Sequence, residues 1–327
     1  MRTRPYPTGG TPADAVWARV RPVDPLLVIT NGDAGTADDE RLDAALEVLR
    51  AACSVEVQET SRPGELDGVL QRAGSRRIVV AGGDGSLHAV VAALHRRHDL
   101  QDAVVGLLPM GTGNDFARTL EIPLDLDEAA EVLVSGDVRP MDLIVDELGE
   151  VVVNNVHVGA GAQASRRGAR WKERLGSVGV GRANLGKLGY PIGAMLSAFH
   201  PPSVHMHVEV DGEVVTDLDQ PVLMVSIGNG ANVGGGTELT PEADPEDGKV
   251  DVMISHAIGA GAKLGYALSL RRGEHHHRDD VQYFRAKQVT ISGDEFWISA
   301  DGEISGPERQ RSWHVEPGAY SFILPPQ

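Results

Sequence analysis

The chain has 327 residues, one cysteine, 30 Lys and Arg against 47 Asp and Glu, and a formal net charge of −17 at pH 7. That length suffices for two domains with their own cores. The lone Cys53 excludes an intrachain disulfide, and the acidic balance argues against nucleic acid as a main partner, because phosphate backbones are bound through Lys and Arg.

Residues 1–22 are read as a flexible tail, rich in Pro and Gly through Gly10 and without the apolar centre of a signal peptide. No apolar run of about 18 residues occurs, so a cytoplasmic location with at most peripheral membrane contact is expected. Residues 23–140 then alternate short apolar runs with helical patterns, the signature of an α/β domain with a parallel sheet. Strands are predicted at Leu26–Thr30, Val55–Gln58, Arg77–Ala81 and Val104–Leu108. Helices are predicted at Ala37–Ala51, Glu65–Ala73 and Asp127–Val134, and where Leu87, Val90, Val91 and Leu94 recur at helical spacing.

Residues 141–327 read as a second, mainly β domain, with Val-rich segments at Glu150–Val158, Val204–Val210, Val222–Ile227, Lys249–Ile254 and Gln288–Ser292. A helical insert is expected from Ala164 to Phe199, with an apolar stripe at Leu185, Leu188 and Ile192. Within it Arg166, Arg167, Arg170, Lys172, Arg174, Arg182 and Lys187 form a basic stretch, read as a solvated loop or helix ahead of a membrane or phosphate contact. His275–His277 reads as a surface turn, since no spaced ligands accompany it.

Two loops carry the chemistry. Gly82-Gly83-Asp84-Gly85-Ser86 joins a β-branched strand to a helix start, where glycines admit a phosphate to the backbone and helix N–H groups attract its charge. The bland alternative is an ordinary βα turn capped by Asp84 or Ser86. A carboxylate beside phosphates needs a cation or hydroxyl between them, so Asp84 suggests Mg²⁺-nucleotide chemistry. Gly111-Thr112-Gly113-Asn114-Asp115 also follows a strand, which puts both loops on the carboxyl edge where open α/β sheets bind ligands. Thr112 is placed to bond a phosphate, and Asn114 or Asp115 to cap the next helix.

In order, Gly82-Gly83-Asp84-Gly85-Ser86, Pro109 through Ala117, Gly228-Asn229-Gly230, Gly234-Gly235-Gly236, Pro241-Glu242-Ala243 with Asp247-Gly248, and Asp301-Gly302-Glu303 resemble the catalytic family of diacylglycerol, sphingosine and ceramide kinases. The resemblance runs from about Leu26 to Pro325. It implies an NAD-kinase- and diacylglycerol-kinase-like α/β domain joined to a β-sandwich-like domain, with the last strand returning to the first. It also implies transfer of the γ-phosphoryl group of ATP, with Mg²⁺, to a lipid hydroxyl at a membrane surface.

Carried over by position, the resemblance puts nucleotide contacts on Asn31, Thr60, Gly82, Gly83, Asp84, Gly85, Ser86, Leu87, His88, Gly111, Thr112, Asn114 and Asp115. It puts the catalytic base on Asp301 with Glu303 beside it. A magnesium-and-water network falls on Asp84, Asp115, Asp142 and Asp247, with metal ligands at Asp244, Asp247 and the carbonyl of Lys249. Asp-Gly is also a hairpin turn, and Val210-Asp211-Gly212-Glu213 is read as only that. Two departures stand out: Ala89 where the family usually has Glu, and Asp33 within Asn31-Gly32-Asp33-Ala34-Gly35. An NAD kinase and a non-catalytic nucleotide or lipid sensor are the competing readings. Oligomeric state is not legible, and a homodimer is allowed.

Overall fold

The computed structural model describes residues 24–31, 36–159, 162 and 203–326. The tail over residues 1–22, the insert from Ala164 to Phe199 with its Leu185, Leu188 and Ile192 stripe, its basic stretch, and Asp33 lie outside the described residues.

The N-terminal part runs β1 (Leu26–Asn31), α1 (Thr36–Ala52), β2 (Val55–Thr60), α2 (Pro63–Gln71), β3 (Arg77–Gly82), α3 (Asp84–Arg96), β4 (Val104–Pro109), α4 (Asp115–Thr119) and α5 (Leu126–Ser135). Its strands pair in parallel in the order β2-β1-β3-β4. Sheets covered on both faces read as unbroken apolar runs, and Leu26 to Ile29 and Ile78 to Ala81 are all buried. Asp125 starts α5 by accepting from the N–H groups of Asp127 and Glu128 at 3.1 and 3.3 Å. The helix packs closely onto β4, because a Cβ on Gly106 would lie 2.3 Å from Leu133 Cδ2.

The second part comprises β5 (Asp137–Asp146), β6 (Val151–Val152), β7 (Asn155–Gly159), β8 (Val204–Val210), β9 (Glu213–Thr216), β10 (Pro221–Val222), β11 (Met224–Gly228), β12 (Asn232–Val233) and β13 (Thr237–Glu238). It continues with β14 (Val250–Ser255), α6 (Ala260–Arg271), β15 (Val281–Ala286), β16 (Gln288–Ala300) and β17 (Glu303–Leu324). It is mainly β and antiparallel. The 22-residue β17 belongs to both parts. It pairs with β16 from Glu303 to His314, and from Trp313 onward lies antiparallel to β5 and, at Ser321 and Phe322, parallel to β4. Tyr320, Phe322, Ile323 and Leu324 share the core of Leu26 and Leu133, whereas Trp313 and Val315 sit in the core of the β part.

The sequence reading misses β5, β15 and α6, and expects β17, the strand that returns to the first part, only through the family resemblance. Glu308, Arg309, Gln310 and Arg311 leave the middle of β17 without an apolar alternation, and Gly261 and Gly265 weaken the helical signal of α6. The expected strand Glu150–Val158 is two, β6 and β7, broken at Val153 and Asn154. The histidine run is a single 3-10 turn, but His275 is fully buried rather than on the surface. Its Nε2–H donates to Leu239 O at 2.8 Å, and burial holds its pKa below the ordinary value.

Candidate active site

The ends of four parallel strands define the edge where the site forms. Asn31 pairs with Thr60, Ala81 with Thr30 and Leu108, and Gly82 with Pro109, so the segments after β1, β2, β3 and β4 all leave from one edge. The strand order makes β1 and β3 the switch point, the crevice where such sheets take ligands.

Gly83 and Gly111 bring the two loops into backbone contact: a Cβ on Gly83 would lie 2.7 Å from Gly111 Cα. Asn114, in the left-handed region at φ 51°, holds this arrangement. Its Oδ1 accepts from Gly111 N at 2.8 Å, and its Nδ2 donates to the carbonyls of Pro109 and Gly111 at 3.2 and 2.9 Å. α3 starts at Gly83 with no side-chain cap. Ser86 N and Leu87 N both donate to Gly83 O at 3.0 Å, leaving the N–H groups of Asp84 and Gly85 without such partners at a positively polarised helix end.

Several expected roles change here. Neither Asp84 nor Ser86 caps α3. Asp84 instead caps α4, accepting from Asp115 N at 3.1 Å and Phe116 N at 3.0 Å, which displaces Asn114 and Asp115 from that role. Leu87 is fully buried, so only its backbone faces the loop. Thr112 and Asn31 are exposed, and Thr60 is half-buried at the end of β2. Ala89 is exposed on α3, one residue beyond the face that meets the second part.

Asp115 ties the parts together by accepting from Gly235 N at 2.9 Å and Gly236 N at 2.7 Å. Burial raises its pKa, the Gly235 and Gly236 bonds oppose that, and the Asp84 charge adds to it. The two carboxylates converge on Gly113, where a Cβ would meet Asp115 Oδ2 and Asp84 Oδ2, each at 3.2 Å. Thr119, which no sequence signal marks, accepts from Ala231 N and Asn232 N at 3.0 and 3.3 Å.

The remaining carboxylates do not form a single cation shell with Asp84. Asp142, on β5, accepts from Gly248 N at 2.5 Å and Gly318 N at 2.8 Å, and burial raises its pKa. Asp244 accepts from Glu246 N at 3.0 Å. Asp247 accepts from Lys249 N at 2.9 Å and ion-pairs with Arg285. Among the described residues no group of three or more His, Cys, Asp or Glu side chains is arranged to hold a metal. These aspartates fold loops onto strands: Asp142 fastens the Gly248 and Gly318 segments to β5, and Asp244 and Asp247 shape the turn ahead of β14.

Asp301 sits at the tip of the β16–β17 hairpin with φ 46°, followed by Gly302 at φ 87°. Its side chain is 2% exposed. Oδ2 accepts from Val153 N at 2.7 Å and from His88 Nδ1 at 2.8 Å; Oδ1 accepts from Asn154 N and Asn155 N at 2.9 and 3.1 Å. Glu303 is exposed at the start of β17. Burial lowers the pKa of His88, but the Asp301 hydrogen bond and the charges of Asp301, Glu303 and Glu150 outweigh it and leave a net rise. Behind Asn155, Ser226 Oγ–H donates to Asn155 Oδ1 at 3.0 Å, so His157 Nδ1–H is the donor in its 3.3 Å contact with Ser226 Oγ. Burial lowers the pKa of His157 to about 4, against the opposing charge of Asp301. The Asn154-Asn155 pair interrupting a valine run was the available signal for this layer.

Paired glycine loops at a sheet edge, beside a carboxylate–imidazole pair made by Asp301 of the β16–β17 hairpin and His88 of α3, form an arrangement suited to phosphoryl transfer. The model of the diacylglycerol kinase catalytic domain matches residues 25–145, and that of the YegS C-terminal NAD kinase beta sandwich-like domain matches residues 155–324. The chain is 28% identical over 272 residues to a diacylglycerol kinase of Staphylococcus haemolyticus (strain JCSC1435), covering 81% of this chain and 77% of that protein. It is equally similar to a diacylglycerol kinase of Staphylococcus aureus (strain JH9), covering 80% of that protein. A crystal structure of a diacylglycerol kinase from Bacillus anthracis str. Sterne shares the fold at TM-score 0.71 and 23% identity, covering 92% of this chain and 97% of that one. The chain therefore belongs to the bacterial-type diacylglycerol kinase family of lipid kinases. Membership implies ATP as phosphoryl donor, with a divalent cation in attendance.

Proposed function

We propose that the chain transfers the γ-phosphoryl group of ATP to the hydroxyl of diacylglycerol or a similar long-chain lipid alcohol. The observation that carries this reading is the backbone contact of Gly83 with Gly111 beside an α3 N-terminus without a side-chain cap. Such a surface suits phosphates, which take backbone N–H groups at close approach. The nucleotide lies over Gly82 to Gly85 and Gly111 to Gly113, with Asn31 and Thr60 along the same edge. Mg²⁺ is the proposed cation, and Asp84 and Asp115, converging at Gly113, are the carboxylates adjoining it. Positioning and charge neutralisation supply most of the rate, and the His88–Asp301 pair handles the acceptor proton.

The acceptor lipid is met at a membrane surface, transiently. Among the described residues no helix is long and apolar enough to cross a membrane. The deciding experiment follows labelled γ-phosphate from ATP with Mg²⁺ to diacylglycerol, sphingosine, ceramide and NAD in mixed micelles. A labelled lipid supports the reading and names the class; label on NAD alone, or ATP binding with no labelled product, defeats it.

A further inference from the structure

We infer that His88 Nε2, rather than a carboxylate oxygen of Asp301, is the atom that takes the proton of the acceptor hydroxyl, with Asp301 as the residue that positions His88. The inference rests on the lipid-kinase reading above and says which atom of its proton-handling pair reacts.

Three observations carry it. First, Asp301 has no place for a further donor. An ionised carboxylate offers about four lone-pair sites, and Val153 N, Asn154 N, Asn155 N and His88 Nδ1 supply four donors between 2.7 and 3.1 Å. A substrate hydroxyl would have to displace one of them, and three are fixed backbone groups of consecutive residues. Second, access is the reverse of what a carboxylate base requires: the Asp301 side chain is 2% exposed and that of His88 17%.

Third, the tautomer is dictated. A carboxylate can only accept, so the ring proton of neutral His88 sits on Nδ1 and the lone pair on Nε2. Nε2 makes no hydrogen bond among the described residues. His88 lies one helical turn after Asp84 on α3, within about 6 Å along the axis of the helix end that faces the glycine loops. The charged groups around it are Asp301 at the hairpin tip, Glu303 on β17 and Glu150 ahead of β6, all of which favour its protonated form. An imidazole made more basic by a buried carboxylate is the ordinary arrangement of a base with its orienting group.

In the step, the acceptor O–H bond breaks as its proton passes to Nε2, and the oxygen forms a bond to the γ-phosphorus. The bond from the γ-phosphorus to the bridging oxygen breaks and ADP departs with the electron pair. The imidazolium, stabilised by Asp301, then returns its proton to water.

The test uses the full chain with ATP, Mg²⁺ and the lipid that the wild type phosphorylates. His88→Asn retains an N–H donor for Asp301 but has no basic nitrogen. It is expected to lower kcat at least about a hundredfold, with the KM for ATP within about threefold, and to abolish the acidic limb of the pH–rate profile. In His88→Ala, added imidazole is expected to restore part of the lost rate, while leaving wild type unaffected. Retention of kcat by His88→Asn overturns the inference and returns the role to Asp301. Nitrogen-15 NMR of wild-type His88 needs neither a variant nor turnover: titration at Nε2 with Nδ1 protonated throughout supports the assignment, and titration at Nδ1 overturns it. Absence of any phosphorylated lipid with wild type defeats the lipid-kinase reading instead, and the NMR result still decides the state of the pair.

Discussion

Gly83 and Gly111 come from loops on neighbouring strands, and a Cβ built on Gly111 would lie 2.4 Å from Gly83 Cα. No rotamer relieves such a contact, because the obstructing atom is backbone. Gly111→Ala is expected to cost about 1–3 kcal/mol of stability and to weaken ATP binding, as the loops separate. Gly85→Ala is the control for stability alone: no protein atom lies within 4 Å of its Cβ position, and α3 gains a better helix former. Thermal unfolding together with calorimetric ATP titration of both variants checks this, and equal stability of Gly111→Ala and wild type would refute it.

Asp211 and Asp301 occupy the same kind of two-residue turn, at φ 50° and 46°, each followed by a positive-φ glycine. Their surroundings differ. Asp211 Oδ1 accepts from Lys287 N and Gln288 N at 2.8 and 2.9 Å in an exposed position, whereas Asp301 is enclosed. Asp211→Asn is expected to leave lipid phosphorylation within about twofold of wild type, while Asp301→Asn, which cannot hold a protonated His88, loses it by about a hundredfold or more. Parallel kinetic assays of the two variants decide the matter; comparable losses would mean that the later turn has no special role.

Thr119 Oγ1 is the acceptor for the N–H groups of Ala231 and Asn232, and so fixes the second part's Asn-Gly loop to α4. Thr119→Val keeps the shape and strands both donors, at an expected cost of about 1–3 kcal/mol. Denaturant unfolding measures this directly, and hydrogen exchange is expected to quicken at Ala231 and Asn232.

Arg311 is 9% exposed and bonds Asp146 Oδ2 at 2.7 Å and Glu308 Oε1 at 2.9 Å. Removing it leaves a buried carboxylate without its counterion, so Arg311→Ala is expected to destabilise by about 3–5 kcal/mol. The exposed pair of Arg309 with Glu295 contributes below about 1 kcal/mol. Urea midpoints of Arg311→Ala and Arg309→Ala should differ accordingly.

Asp251 is 1% exposed on β14, and its pKa is pushed up to about 6 by burial, against the Tyr283 hydroxyl and with the help of the Glu242 and Asp244 charges. A folded-state pKa above the unfolded value means that the unfolded chain ionises first. Stability is therefore undiminished below the unfolded pKa, falls as pH rises toward about 6, and levels off above it. Asp251→Asn does not titrate, so its stability relative to wild type should improve by on the order of 2 kcal/mol between acid and neutral pH. Urea unfolding on either side of the transition tests the sign, and a pH-independent difference would refute it.

The sequence by itself determined the parallel α/β part and the mainly β part, because Leu26 to Ile29 and Ile78 to Ala81 carry the unbroken apolar runs of covered strands and Val204–Val210 carries an alternating one. It also determined that the two glycine loops lie together, since loops after strands of one parallel sheet must share an edge. Tertiary structure alone decided what each side chain does there. Asp84 caps a helix 31 residues away, Asp142 and Asp247 fasten loops, and Asp301 is distinguished from Asp211 by donors more than 140 residues distant. Motif spacing records which residues are present, while the hydrogen-bond partners of a carboxylate are set by contacts between segments whose separation in the chain carries no local signal.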